Sequence, residues 1–403
     1  MSEPHIVMPL APGRYPRVLY LTFDVGFLNP TRKLLLDVLR RVTDLRIHGP
    51  GYVDGDELDR GVRHLVEVEG PFDFVICDEY VLQNFDTSKP ESIRFVNHAC
   101  LFDRHLLIKA LEWREFLKTY DGMRIITLMQ SDYYNFPEIQ IERLETLADY
   151  YICWGPEFLM SRSAITPFEA PYSGPNKRIF DTWNDSFRDF TLRNADRIIS
   201  CPQFVGSGEA GGGALTLRPS EWAVLGADYN ARVLARERID AAGMERAGKW
   251  MPQAFAIAGR LNINVYSKYW AIAIIQWGFR HALRQSKYAF TCGSVLRWPI
   301  RKFFEIPING AVLVCEPPHG FEALGFRDRV NAVVCDAKDI LGANEWLIAD
   351  QARAQEIATA GQDLVLRKHS VEARARQIGS SLQRIVAGSF SGSRWREGEF
   401  ELL

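Results

Sequence analysis

Charge of one sign is what this sequence most plainly lacks: 48 Lys and Arg stand against 50 Asp and Glu, a net charge of -2. Chains built mainly to bind nucleic acid carry a basic excess, so no nucleic acid partner is expected and any cationic site must be local. Cross-links are also missing. The seven cysteines, Cys77, Cys100, Cys153, Cys201, Cys292, Cys315 and Cys335, are odd in number and widely spaced, mostly within apolar strand-like runs. That is how buried reduced thiols are distributed, not a disulfide frame or a zinc site. The longest apolar runs, such as Ala271 to Trp277, fall far short of a membrane span. The N-terminus has no cationic start leading into a long apolar stretch, so no signal peptide is expected. A cytoplasmic chain follows, with room left for peripheral membrane contact. No Ser elbow, C-x-x-C pair or His/Cys cluster of metal spacing occurs, so hydrolase and redox readings have little support.

What is present suits a globular α/β protein. Its 403 residues are 47% hydrophobic and 24% charged, enough for two or three domains with their own cores. Aromatic content of 12%, with ten tryptophans, permits sugar-stacking surfaces. Residues 1–15 are punctuated by Pro and Gly and read as a loose arm. Arg17 to Phe23 is a buried strand, Asp24-Val25-Gly26 a turn, and Thr31 to Val42 an amphipathic helix, a βαβ opening. Further strands are expected at Leu45 to His48, Phe72 to Cys77, Arg124 to Met129, Ala148 to Trp154 and Arg197 to Cys201. Helices are expected at Asp56 to Val66 and His105 to Tyr120. The glycine-rich GSGEAGGG at 206–213 falls near mid-chain and reads as a hinge. Beyond it come a turn into a basic helix within Glu221 to Ala242, a strand at Phe255 to Ala258 closed by Gly259-Arg260, and a helix at Tyr269 to Arg284. Ile340 to Arg367 supplies helices, Val371 to Val386 the last long one, and the Ser/Gly-rich tail from Gly388 reads as disordered.

Ser286 to Cys335 organises the rest. Tyr288 to Thr291 is apolar and breaks at Cys292-Gly293-Ser294. A basic amphipathic segment follows, with Arg297, Arg301 and Lys302 opposite Phe303, Phe304 and Ile306. Gly310 ends it, Ala311 to Cys315 reads as a fully buried strand, and a Pro-Pro-His-Gly-Phe turn comes next. Strand, glycine turn, basic helix and strand is how a parallel sheet builds a crevice at the carboxyl ends of its strands. Cations beside a Gly-Ser turn with free backbone N–H groups suit a phosphate or other anion. An ordinary βαβ unit with solvated arginines fits the pattern equally well.

KFFEIPINGAVLVCEPPHGFEALGF, followed by a helical segment from Ala354 to Ile378 with Gly361, His369, Ser370 and Arg374 in register, resembles the C-terminal half of group 1 glycosyltransferases. The spore-maturation-protein-like branch of that GT-B superfamily is the nearest in flavour, and the likeness covers about a third of the chain. It implies an α/β architecture of two Rossmann-like, doubly wound domains facing across a cleft. The expected division is 1–205 for the acceptor side, 206–220 as linker, 221–387 for the nucleotide-sugar side and 388–403 as a flexible tail. It also implies that Glu305 accepts hydrogen bonds from the donor ribose, a fitting task for a carboxylate; pairing with Arg301, four residues earlier, is the plain alternative. Arg260, Arg301 and Lys302 are candidates for the donor phosphates. Ser294 lies in the anion turn, His319-Gly320-Phe321 would meet the donor after the buried strand, and Asn331 has a similar, weaker place. Retaining members carry two Glu eight positions apart. Arg297 stands where the first would be, which leaves the stereochemistry open.

A catalytic base would come from the N-terminal half, where carboxylates at strand ends could take a proton from an acceptor hydroxyl. Asp132 is first in order, then Asp24 and Glu157; each has an N-cap or loop charge as its plainer reading. Gly206-x-Gly208-x-x-Gly211 matches a dinucleotide fingerprint in letters, but Pro202 and Pro219 deny it the strand-to-helix context. Asp54-Gly-Asp56 resembles a metal-binding D-x-D, yet Asp56 before Leu58 is more simply a helix cap. The expectation is a metal-independent glycosyltransferase with a nucleotide-sugar as co-substrate, no other cofactor, and a glycan or glycolipid acceptor. A nucleotide-sugar epimerase on the same fold, or a non-catalytic module of that fold, is the alternative.

Overall fold

The computed structural model describes residues 14–24, 30–82, 104–129, 133–164, 174–261 and 269–403. Its first half runs β1 (Arg17–Leu21), α1 (Thr31–Val42), β2 (Asp44–His48), α2 (Gly55–Glu69), β3 (Phe74–Asp78), α3 (Arg104–Leu117) and β4 (Met123–Thr127). It continues through α4 (Glu138–Leu147), β5 (Tyr150–Cys153), α5 (Gly174–Thr182), α6 (Ser186–Arg193) and β6 (Ile198–Ser200). These strands form a parallel sheet in the order β2-β1-β3-β4-β5-β6. β1, β3 and β4 are buried on both faces, which is why their sequences are continuous apolar runs and not alternating ones. Asp54, and not Asp56, caps α2 by accepting from the Glu57 N–H.

The second half runs β7 (Ser220–Ala223), α7 (Asn230–Ala241), β8 (Arg246–Ala247), α8 (Trp250–Arg260), α9 (Tyr269–Gln285), β9 (Ser286–Thr291) and α10 (Lys302–Ile308). It continues with β10 (Val312–Cys315), β11 (Val333–Val334), α11 (Ile340–Ala349) and α12 (Gln351–Lys368). Its parallel sheet has the order β11-β10-β9-β7-β8. Two parallel-sheet, Rossmann-like α/β domains therefore make up the chain. In each, the strand order reverses beside the first strand, between β1 and β3 and again between β7 and β9, and α/β sheets bind ligands at the carboxyl ends of such strands.

Three segments depart from the sequence reading. Phe255 to Ala258, expected as a strand, lies inside α8; a short apolar run cannot by itself distinguish the two, and Trp250, Ile257 and Leu261 share a helical face. The last long helix, α13 (Val371–Val386), does not stay with the second sheet. Ser370 caps it, and Val371, Ala375, Ile378, Leu382 and Ile385 pack with α1 and the first sheet. Where α13 crosses α1, a Cβ on Gly379 would lie 3.0 Å from Val42, so the small residue permits the close approach.

The expected disordered tail is instead a hairpin, β12 (Ser393–Arg396) with β13 (Glu399–Leu402). It covers the edge strand β6. Ser393 Oγ accepts from the Ser200 N–H and donates to the Ile198 carbonyl, and the buried Trp395 indole donates to the Ser200 carbonyl at 3.2 Å. An uncovered edge would leave a row of unpaired backbone groups, which explains why a Ser/Gly-rich tail is ordered here.

Candidate functional site

At the reversal point of the second sheet, the chain leaves β7 through Val224 and Leu225 and turns at Gly226, whose φ is +100°. No side chain fits there: a Cβ would stand 2.9 Å from Lys302 Nζ and 3.1 Å from Arg232 Nη1. Two cations from different helices, Arg232 in the first turn of α7 and Lys302 at the start of α10, thus converge on one bare stretch of backbone. Arg232 is buried and donates to the carbonyls of Ala227 and Cys292 at 3.3 and 3.1 Å. Its buried Nε has no acceptor among the described residues. Lys302 is half-buried, with its ammonium 4.9 Å from the centre of the Phe279 ring, and forms no ion pair among the described residues. Burial and then the neighbouring Arg232 charge bring Lys302 down from 10.5 to about 8. Two cations without an ion pair among the described residues, at a strand-end crevice, cost the free protein stability and favour a bound polyanion.

The loop after β9 stands against this pair. Ser294 and Arg297 both adopt positive φ, 60° and 49°, sparsely populated for residues with a side chain. The N–H groups expected to be free for an anion are partly used: Leu296 donates to Ser294 Oγ, Arg297 to the Ser294 carbonyl and Trp298 to the Gly293 carbonyl. The His319 N–H in turn donates to the Arg297 carbonyl at 2.6 Å, so the β10 loop is fastened to the β9 loop. Glu316, the first residue after β10, is raised to about 7 by burial, an effect partly offset by the Ala337 N–H.

Of the residues singled out from the sequence, Lys302 and Ser294 lie at this crevice. Glu305 follows one turn along α10: its Oε1 accepts from Arg301 Nε at 2.8 Å, while Oε2 has no partner among the described residues. Arg301 does not face the crevice. It is buried, with Nη2 2.6 Å from both carboxylate oxygens of Glu209 and Nη1 on the Phe204 carbonyl and Thr31. Arg301 thereby ties the segment between the sheets to α1 and α10, and GSGEAGGG is fastened at Glu209 instead of swinging freely. Arg260 is exposed at the end of α8 and not beyond a strand. Asn331 holds its own loop, accepting from the Arg327 N–H and donating to the Gly325 carbonyl. Phe321 is buried against Phe326 with ring centres 5.3 Å apart, which leaves no free face for a ligand. His319 is exposed, and Gly320, φ 76°, lets the loop touch the other domain: a Cβ there would lie 2.4 Å from Phe158.

The facing side is the first domain. Asp24, just beyond β1, forms an ion pair with Lys33 at 2.7 Å, and its carbonyl accepts from the Tyr269 hydroxyl at 2.9 Å, so α9 meets the first domain there. Trp154 and Trp298 bring the domains together again at 6.1 Å between ring centres. Glu157 is turned away from a catalytic position: it accepts from Ser200 Oγ and from the Trp395 N–H, and burial raises its pKa. Asp132 lies outside the described residues.

Sequence reasoning missed two groups. One is Arg232, buried only because α7 opens directly behind the Gly226 turn; a glycine shortly before a basic helix was the available signal. The other is Asp78 at the end of β3, which takes the hydroxyls of Tyr20, Thr22 and Thr127 and the Arg32 guanidinium at the reversal point of the first sheet. Burial, the largest single effect, would pull Arg32 down, but Asp78 together with Tyr80, Tyr20 and Glu79 outweighs it and holds the pKa well above its ordinary value. Among the described residues no group of His, Cys, Asp or Glu is arranged to hold a metal ion, and no helix is long and apolar enough to cross a membrane.

Two such parallel-sheet, Rossmann-like domains make the GT-B fold. Residues 228–380, which carry both Arg232 and Lys302, match the model of a glycosyl transferase-like family. Among solved structures the chain is similar to HepE from Anabaena, solved with UDP and glucose, at 9% identity and a TM-score of 0.51 over 91% of this chain and 99% of that one. It is also similar to sucrose-phosphate synthase from Thermosynechococcus elongatus, at 10% identity and a TM-score of 0.50 over 93% of this chain and 100% of that one. No curated protein matches this chain in sequence.

Proposed function

We propose that this chain is a glycosyltransferase that moves a sugar from a nucleotide-activated donor to a glycan or glycolipid-type acceptor, with side-chain cations and not a metal neutralising the leaving phosphate. The observation that carries the reading is the convergence of Arg232 and Lys302 on the side-chain-free turn at Gly226. In the transfer, the bond between the anomeric carbon and the phosphate oxygen breaks, and the electron pair leaves with the phosphate. Lys302 supplies a point charge and Arg232 a planar donor fork where that charge develops. The free Glu305 Oε2 accepts from a ribose hydroxyl, and Ser294 lines the loop beside the phosphates. The acceptor hydroxyl forms the new bond and gives up its proton to a base of the first domain. Asp132, which follows β4 in the chain, takes that role on its position alone. HepE, solved with UDP, and the family match over 228–380 support the donor class.

A thermal-shift screen of nucleoside diphosphates and monophosphates, followed by product analysis with the sugar of the stabilising nucleotide, tests the proposal. Stabilisation and transfer or slow donor hydrolysis are expected. Conversion of the donor to its epimer would move the assignment to an epimerase, and no stabilisation by any nucleotide would leave a non-catalytic module.

A further inference from the structure

α8 and α9 carry the largest concentration of exposed aromatic and aliphatic side chains among the described residues. Trp250, Ile257 and Leu261 recur at helical spacing along α8, and Trp270, Ile274 and Trp277 along α9, each 42 to 65% exposed. The two lines adjoin, because the Trp250 ring lies against Gly278, where a Cβ would come within 2.6 Å of it. A soluble surface seldom leaves so much apolar area in one place without a partner. From Trp250 to Gln285 the sequence has no Asp or Glu, in a protein whose acids slightly outnumber its Lys and Arg. Arg260 is exposed on α8 and Arg280 half-buried on α9, while Arg284 turns inward to Asn309 and the Glu209 carbonyl.

We propose that the α8–α9 face docks on a membrane surface rich in anionic headgroups. Tryptophan and isoleucine on convex helix faces suit the boundary between acyl chains and headgroups, and a flank of cations without acids suits a negative leaflet. A second copy of the chain fits less well, since pairing this face with itself brings cations against cations. Phe279, on the opposite side of α9, lies beneath Lys302, and the exposed Tyr269 at the start of α9 reaches the Asp24 carbonyl at the edge of the first domain. Docking would therefore hold the space between the domains close to the bilayer. The surface rests on its own observations and not on the transferase reading.

The test is sedimentation of the full chain with vesicles of phosphatidylcholine alone or mixed with phosphatidylglycerol, with and without high salt. Binding to the mixed vesicles is expected, and it should be at least about tenfold weaker in a Trp270→Ser/Trp277→Ser variant, in Arg260→Glu, and at high salt. These are surface positions, so thermal melting should stay near that of the parent chain. The proposal is overturned by failure to bind mixed vesicles or by undiminished binding of both variants. It is equally overturned by a dimer in solution that the tryptophan variant converts to monomer, which would assign the face to a second copy.

Discussion

Arg301 Nη2 lies 2.6 Å from both oxygens of Glu209, and the same guanidinium reaches Glu305 through Nε at 2.8 Å. One buried cation thus joins the glycine-rich connection to the helix that presents Lys302. Glu209→Ala should destabilise the protein by about 2–4 kcal/mol, since it strips one counter-charge from a buried guanidinium. Urea denaturation measures this. Arg301→Met/Glu209→Leu/Glu305→Gln together should cost less than Glu209→Ala, because no member of the buried ion triad is then left charged and unpaired.

Lys302 is brought to about 8 from an ordinary 10.5, so between those pH values the native state binds fewer protons than the unfolded chain and stability rises with pH. At neutral pH the charged ammonium opposes folding. Lys302→Met should therefore raise neutral-pH stability, by about 1–3 kcal/mol, while weakening nucleotide binding. In the parent chain, nucleotide affinity should fall as pH rises through 8, where the ammonium loses its proton. Melting curves and binding titrations from pH 7 to 9.5 check both signs.

Much of this frame was legible. Strands such as Arg17–Leu21, Phe74–Asp78 and Val312–Cys315 are buried on both faces, so their apolar runs declare them, and α13 matches its apolar spacing residue for residue. The place of Lys302 beside the crevice was legible because a cation at a helix start after a Gly-Ser turn has a chemical meaning. What failed was long-range. Nothing local to Ser389 or Gly392 says that β6 needs its edge covered, and nothing local to Arg301 says that Glu209 will claim it. Arg232 went unnoticed because a single arginine on a basic helix looks solvated until the Gly226 turn folds over it.

His369 is buried, donates through Nε2 to the Leu324 carbonyl on the tautomer that this contact implies, and is lowered from 6.5 to about 3 by burial and then by the Arg374 charge. Between those values the unfolded chain takes up a proton that the native one refuses. Stability should fall as pH drops from 6.5 towards 3, by up to about 4–5 kcal/mol from this residue. In His369→Gln the slope of stability against pH in that window should shrink by about 1.4 kcal/mol per pH unit. Denaturation at a series of pH values reads it.

Trp395 stacks on His369 with ring centres 4.8 Å apart, lies 5.0 Å from the Arg374 guanidinium, and donates its backbone N–H to Glu157. Trp395→Ala should cost about 3–5 kcal/mol through the cavity it leaves. Removal of the hairpin after Gly388 should cost at least as much and expose β6 to self-association. Thermal melting and light scattering measure the two effects.

The most direct test of the central claim is calorimetric titration of nucleoside diphosphates and monophosphates into the parent chain, Arg232→Gln and Lys302→Met. One nucleotide should bind the parent, and each variant, folded by circular dichroism, should bind it at least about tenfold more weakly. Equal binding by all three proteins, or none by the parent, would contradict the account.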